Sequence, residues 1–201
     1  MNASEYMAPF HVDVDLADGV MHDHDRRLER RASAMRGHYA DEAALVRLVE
    51  TQDDPIHYEV FERAIPQESG HLCFCISKLY PGVVGEECFM TKGHYHEVPE
   101  TAELYLCIRG EGYMLMKLSS GECVAEPMRP NALVYVPPFW AHRSINSGQV
   151  PLISLCVYPG EAGHNYGDIE QEGFPKRVFI RDGKEVVEQA IPSVFDKENP
   201  T

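Results

Sequence analysis

From residue 55 onward the chain repeats one pattern: a short run rich in Val, Ile, Tyr and Phe, then turn-forming residues. The runs are Tyr58 to Ile65, Leu72 to Tyr80, Glu103 to Ile108, Tyr113 to Lys117, Ala132 to Val136 and Leu152 to Tyr158. Between them lie Pro81-Gly82, Arg109-Gly110-Glu111-Gly112, Ser120-Gly121 and Asn146-Ser147-Gly148. Asp182-Gly183 suits a two-residue hairpin joining Val178 to Arg181 and Lys184 to Val187. Short strands at roughly ten-residue spacing predict an all-β sandwich or barrel. Ahead of them, Asp41 is an N-cap candidate, and Ala44, Leu45, Leu48 and Val49 recur at helical spacing, which predicts one short helix. Residues 1 to 40 carry no clear periodicity; His22-Asp23-His24-Asp25, followed by Arg26, Arg27, Arg30 and Arg31, reads as a solvated surface segment. The expected organisation is an N-terminal arm with one short helix over 1–54 and a barrel with a C-terminal hairpin and tail over 55–201.

Charge narrows the function. With 18 Lys and Arg against 32 Asp and Glu, the formal charge of −14 disfavours nonspecific association with nucleic acid or anionic membranes. An anionic substrate would need a locally positive site. No run approaches the roughly 18 apolar residues of a membrane span, and no secretory layout is visible at the N-terminus, so a cytoplasmic protein is expected. Cys73, Cys75, Cys88, Cys107, Cys123 and Cys156 contain no C-x-x-C pair, and most sit in apolar runs, as reduced buried thiols do.

The histidines carry the chemical signal. His94 and His96 are two apart, so on an extended chain both rings face the same way and can converge on one ion. Glu103 follows at the start of a strand, where period two places it with Tyr105, and His142 comes later. Three imidazoles and a carboxylate suit Fe, Mn, Ni, Co or Zn, and ligand type does not choose among them.

This segment resembles the first cupin motif, an H-x-H pair followed by a Glu and, after six intervening residues, a Gly, here Glu103 and Gly110. His142 and Asn146 resemble the second motif. Two departures are informative. Six residues separate His96 from Glu103, more than the motif's usual three or four; Glu100 keeps the short spacing, but strand parity and the interval to Gly110 favour Glu103. Asn131 and Phe139 stand where the second motif has glycines, and Asn is well tolerated in a left-handed turn.

Four strings make a narrower resemblance: Thr91 to His96, Glu103-Leu104-Tyr105 after its long gap, Val134 to Arg143, and Tyr158 to Gly167. They resemble the cupin-type glucose-6-phosphate isomerases of archaea and some bacteria, from about Arg36 through Gly183, with Asn165 standing where that family has an acidic residue. The resemblance implies a cupin barrel, a homodimer, and a phosphorylated sugar substrate. It implies one divalent metal ion, iron foremost, held by His94, His96, Glu103 and His142. Glu103 and His142 would be the catalytic residues, with Glu103 carrying the proton between adjacent carbons. Ser77, Thr91, Gly93, Tyr158, His164 and Tyr166 would surround the substrate, with help from Lys92 at the phosphate, while Trp140, Pro137 and Pro138 shape the pocket wall. Two other readings compatible with the ligand spacing are a cupin dioxygenase and a non-enzymatic, metal-bearing, small-molecule-binding cupin.

Overall fold

The computed structural model describes residues 7–189; the expected C-terminal tail lies outside them. The strands are β1 (Val14–Asp15), β2 (Val20–Met21), β3 (Arg26–Arg31), β4 (Ile56–Glu62), β5 (Leu72–Leu79), β6 (Val83–Val84), β7 (Glu87–Cys88), β8 (Glu103–Arg109), β9 (Gly112–Lys117), β10 (Cys123–Met128), β11 (Leu133–Val136), β12 (Ala141–Asn146), β13 (Leu152–Pro159), β14 (Lys176–Arg181) and β15 (Lys184–Gln189). Two α-helices, α1 (Glu42–Thr51) and α2 (Gly167–Glu172), and a short 3-10 helix over Ala32–Met35 complete the described structure. The architecture is the all-β cupin barrel expected from the sequence: a six-stranded sheet in the order β11-β8-β13-β5-β4-β3 is apposed to a three-stranded sheet β10-β9-β12 and a four-stranded sheet β15-β14-β7-β6.

Local chemistry explains the well-read elements. The Asp41 side chain accepts the Ala44 N–H at 2.8 Å, capping α1, and Ala44, Leu45 and Leu48 are its buried face. Asp182 and Gly183 both have positive φ, 51° and 73°, the conformation a tight hairpin needs between β14 and β15. Asn131 takes φ 70°, as expected of a glycine substitute, but Phe139 also sits at φ 71°. A bulky residue there costs about 1–2 kcal/mol. Its N–H donates to the Pro99 carbonyl at 2.7 Å, which holds the turn.

Seven strands escaped the sequence reading: the two-residue β1, β2, β6 and β7, and the longer β3, β10 and β12. β10 carries Pro127, which a strand tolerates here because β10 is the edge of its sheet. β12 is buried along its whole length and lacks alternation. β3 is a polar run, Arg-Arg-Leu-Glu-Arg-Arg, yet it pairs with β4 from Arg26↔Glu62 to Arg30↔Tyr58. That pairing makes residues 26–31 the outer strand of the large sheet.

Registers across this sheet define its inward face. Opposite residues share a face in antiparallel pairs. One inward row runs Arg26, Glu62, Cys75, Cys156, Tyr105, Val134; the next runs Leu28, Val60, Ser77, Ser154, Cys107. The outward face is partly covered by the β1–β2 hairpin, where Met21 packs with Phe61, Ile76 and Ile153.

Candidate active site

A cavity of about 370 Å³ opens against that inward face. Ser77, Thr91, Gly93, Tyr158, His164 and Tyr166, six residues read from sequence, all line it. It also contains Arg26, Tyr58, Glu62, Glu97 and Tyr105, which the sequence reading did not place at a substrate site. Only Tyr105 had a sequence signal, its parity with Glu103.

At one end, His94, His96, Glu103 and His142 offer ligand atoms within 4.8 Å of one another. Glu103 opens β8 and His142 lies in β12, while backbone bridges hold His94 against His142: His94 N–H donates to the His142 carbonyl at 3.2 Å and His142 N–H to the His94 carbonyl at 3.0 Å. The segment can lie this close because residue 93 is glycine. Its φ is 78°, and a Cβ there would sit 2.9 Å from the His142 carbonyl. Glu100 is exposed on a turn, away from the cluster.

The hydrogen bonds around His96 fix its tautomer. The Thr101 hydroxyl donates to the Val98 carbonyl at 2.6 Å, so it can only accept from His96 Nδ1, 2.8 Å away. A neutral ring protonated at Nδ1 presents an Nε2 lone pair, and that atom lies 3.2 Å from Glu103 Oε2. Lone pair facing carboxylate is repulsive unless a cation stands between. His142 Nε2 is 2.9 Å from the same oxygen but out of hydrogen-bond alignment, and His94 Nε2 is buried without a partner. Three orphaned or repelled nitrogens around one carboxylate therefore fit a divalent ion.

Protonation states agree with that fit. Burial, and after it His142, hold His94 well below its ordinary pKa, leaving the neutral ring a ligand needs. Burial acts to raise the Glu103 pKa, but His142, His96 and His94 outweigh it and keep the carboxyl ionised and below its usual range. Tyr105, beside Glu103, is raised well above its ordinary value by burial and then by that carboxylate, so it stays a neutral donor. His164 is lowered by burial and stacks on Tyr166 at 6.0 Å, with interplanar angle 9°.

Around the cavity the charged side chains are mostly paired. Lys92 Nζ is 3.3 Å from Glu170 on α2, so its ammonium is partly neutralised. Asn165 Nδ2 donates to Asp168 at 2.9 Å, and its backbone pairs with Tyr95, which pins the loop carrying His164 and Tyr166. Trp140 and Pro137 depart from expectation: they line a groove with Met116, Val124 and Leu133 and, like Pro138, take no part in the cavity wall. The left-handed turn at Phe139 breaks strand alternation just before β12, so Trp140 does not share the direction of His142. His24 hydrogen-bonds the Met21 carbonyl at 2.7 Å and packs edge-on to Phe61, and among the described residues the His94 group alone forms a ligand cluster.

The sequence matches the family model described as glucose-6-phosphate isomerase (GPI) over residues 29–196. Glucose-6-phosphate isomerase of Thermococcus gammatolerans is 44% identical over 182 residues, 90% of this chain and 94% of that one. The enzyme of Thermococcus onnurineus is 45% identical over 182 residues, with the same two coverages. That of Pyrococcus horikoshii is 44% identical over 179 residues, 89% and 94% of the two chains. The clustered histidines and carboxylate thus lie within a chain that matches these relatives nearly end to end, and it belongs to the glucose-6-phosphate isomerase family.

Proposed function

We propose that this chain is a metal-dependent aldose-ketose isomerase that interconverts glucose 6-phosphate and fructose 6-phosphate in glycolysis and gluconeogenesis. The observation that carries this reading is the convergence of His94, His96, Glu103 and His142 at the end of a cavity lined by hydroxyls. A divalent ion bound there supplies Lewis acidity to the two adjacent sugar oxygens that differ between aldose and ketose. Iron is our first choice, with Mn, Ni, Co and Zn suited to the same donors.

Glu103 Oε2 faces His96 and His142, which leaves Oε1 to carry the proton between C1 and C2 through a cis-enediol. Tyr105 stands beside that carboxylate as a neutral donor. The low basicity of Glu103 favours a second route, in which hydride passes directly between the carbons and no side chain takes a proton. Turnover in deuterated water separates them: solvent label in the product supports the proton route.

The isomerase reading is tested by assaying fructose 6-phosphate conversion on metal-loaded protein, with oxygen uptake measured alongside. Activity that persists without oxygen and disappears with chelator is expected. Oxygen consumption with no isomerisation would favour the dioxygenase, and inactivity with every divalent metal would favour a binding cupin. We further propose a cytoplasmic setting, supported by six free cysteines of which five are buried, and by the lack of a described helix long and apolar enough to cross a membrane. A homodimer is supported by Leu104, Leu133 and Tyr135, exposed together on the outer face of β8 and β11; light scattering tests it.

A further inference from the structure

An anionic phosphoryl group must enter a cavity that already holds Glu62, Glu97 and Glu103. Arg26 and Lys92 line it, and Arg143 and Arg30 each neighbour a lining residue; three of these four cations are already engaged. Lys92 faces Glu170, Arg26 pairs with Glu62 at 3.4 Å, and Arg143 is buried behind the Lys92–Gly93 segment, donating to the Lys92 carbonyl at 2.5 Å and lying over the Phe174 ring at 4.4 Å. The fourth is Arg30.

Among the described residues, Arg30 is the one arginine of β3 without a carboxylate partner: Arg26 pairs with Glu62, Arg27 with Glu29 and Glu59, and Arg31 with Glu29. Its Nε is buried with no hydrogen-bond acceptor. A buried donor on a charged group left unpaired is costly, and a guanidinium forms forked bonds to phosphate. Register places it directly opposite Tyr58, a cavity-lining residue, on the inward face. A bulge follows at once between Arg30 and Arg31, so the inward alternation of β3 ends on Arg30. The Tyr58 hydroxyl lies between that guanidinium and the backbone of Lys92, and Tyr166 feels the same charge. The carboxylate Glu62 stands two pairs along β4, beyond Val60. Cation and hydroxyls thus occupy one end of this wall and the carboxylate the other.

We infer that Arg30 is the charge-bearing residue of the phosphoryl subsite, engaging the phosphate beside the Tyr58 hydroxyl and the Thr91–Gly93 segment. The inference rests on the sugar phosphate reading above and names a residue that reading did not include. Among the described residues its long side chain has no carboxylate partner to leave when substrate arrives. It accounts for dianion binding by a protein of charge −14 with one uncompensated cation.

The test uses full-length, metal-loaded protein. Arg30→Gln should raise KM for fructose 6-phosphate roughly 10- to 100-fold, with kcat changed less than about threefold. Binding of sorbitol 6-phosphate, which cannot isomerise, should weaken in parallel, while Arg31→Gln should match wild type. An Arg30→Gln protein with wild-type KM and sorbitol 6-phosphate affinity overturns the assignment. Should that variant not fold, wild-type protein decides: labelling of Arg30 by phenylglyoxal, read by mass spectrometry, should be suppressed by sorbitol 6-phosphate and not by sorbitol. Equal labelling in both overturns it. Sorbitol 6-phosphate binding that depends on Arg30 in a protein with no isomerase activity would instead uphold the subsite and defeat the isomerase reading.

Discussion

His96 Nδ1 lies 2.8 Å from Thr101 Oγ1, and that hydroxyl is itself committed as donor to the Val98 carbonyl. A loop threonine thereby sets which nitrogen of this clustered histidine faces Glu103. Removing the hydroxyl leaves Nδ1 only the longer, 3.2 Å contact with the Thr101 carbonyl and so loosens the ring. Thr101→Val should lower metal affinity roughly 10- to 100-fold with little loss of fold, and Thr101→Ser should restore most of it. Competition titration against a chelator measures both.

His142 joins β12 to the cluster through its side chain and to His94 through its backbone. His142→Ala keeps the backbone bridge and removes the imidazole, so metal content and isomerase activity should fall together, as read by elemental analysis and assay. A metal-replete, active variant would remove His142 from the ligand set.

Tyr158 lines the cavity, and burial raises its hydroxyl far above ordinary phenol values, so it can only donate or accept as a neutral group. Tyr158→Phe removes one hydroxyl from the cavity wall without altering the cluster. KM should rise roughly tenfold and kcat much less.

His57 is fully buried, stacked on Phe89 at 3.7 Å with Nε2 2.9 Å from the Tyr39 hydroxyl. Burial pulls its pKa down to about 4. The unfolded chain takes up this proton from about pH 6.5 downward, the folded chain only from about pH 4. Its contribution to stability is therefore complete above pH 6.5 and lost as pH falls toward 4, by about 3 kcal/mol in all. Denaturant titrations between pH 7 and 4 should show this slope, reduced in His57→Gln.

Gly110 has φ 82°, and a Cβ there would lie 2.5 Å from the Pro151 carbonyl. Strain and overlap add, so Gly110→Ala should cost about 3 kcal/mol or more, seen as a lower melting temperature.

Much of this was legible in the chain itself. Period-two runs, Asp41 as a cap and Asp182-Gly183 as a hairpin turn are local effects, decided by a residue and its near neighbours, and each matches the structure. His94 and His96, two apart on an extended segment, announced a shared face in the same way. Residues whose state depends on distant partners were not legible. β3 is a strand because β4 offers it backbone and carboxylates; nothing in Arg-Arg-Leu-Glu-Arg-Arg demands one. Trp140 turned from the cavity because Pro99 stabilises a left-handed Phe139 forty residues away in sequence.

The sequence by itself determined the barrel class, the donor types and the net charge, because composition and short-range periodicity are written along the chain. Only the tertiary structure decided that Lys92 is compensated by Glu170 and that Arg30, among the described residues, has no carboxylate partner. Pairing between charges is a matter of angstroms across the sheet, and sequence separation carries no record of it.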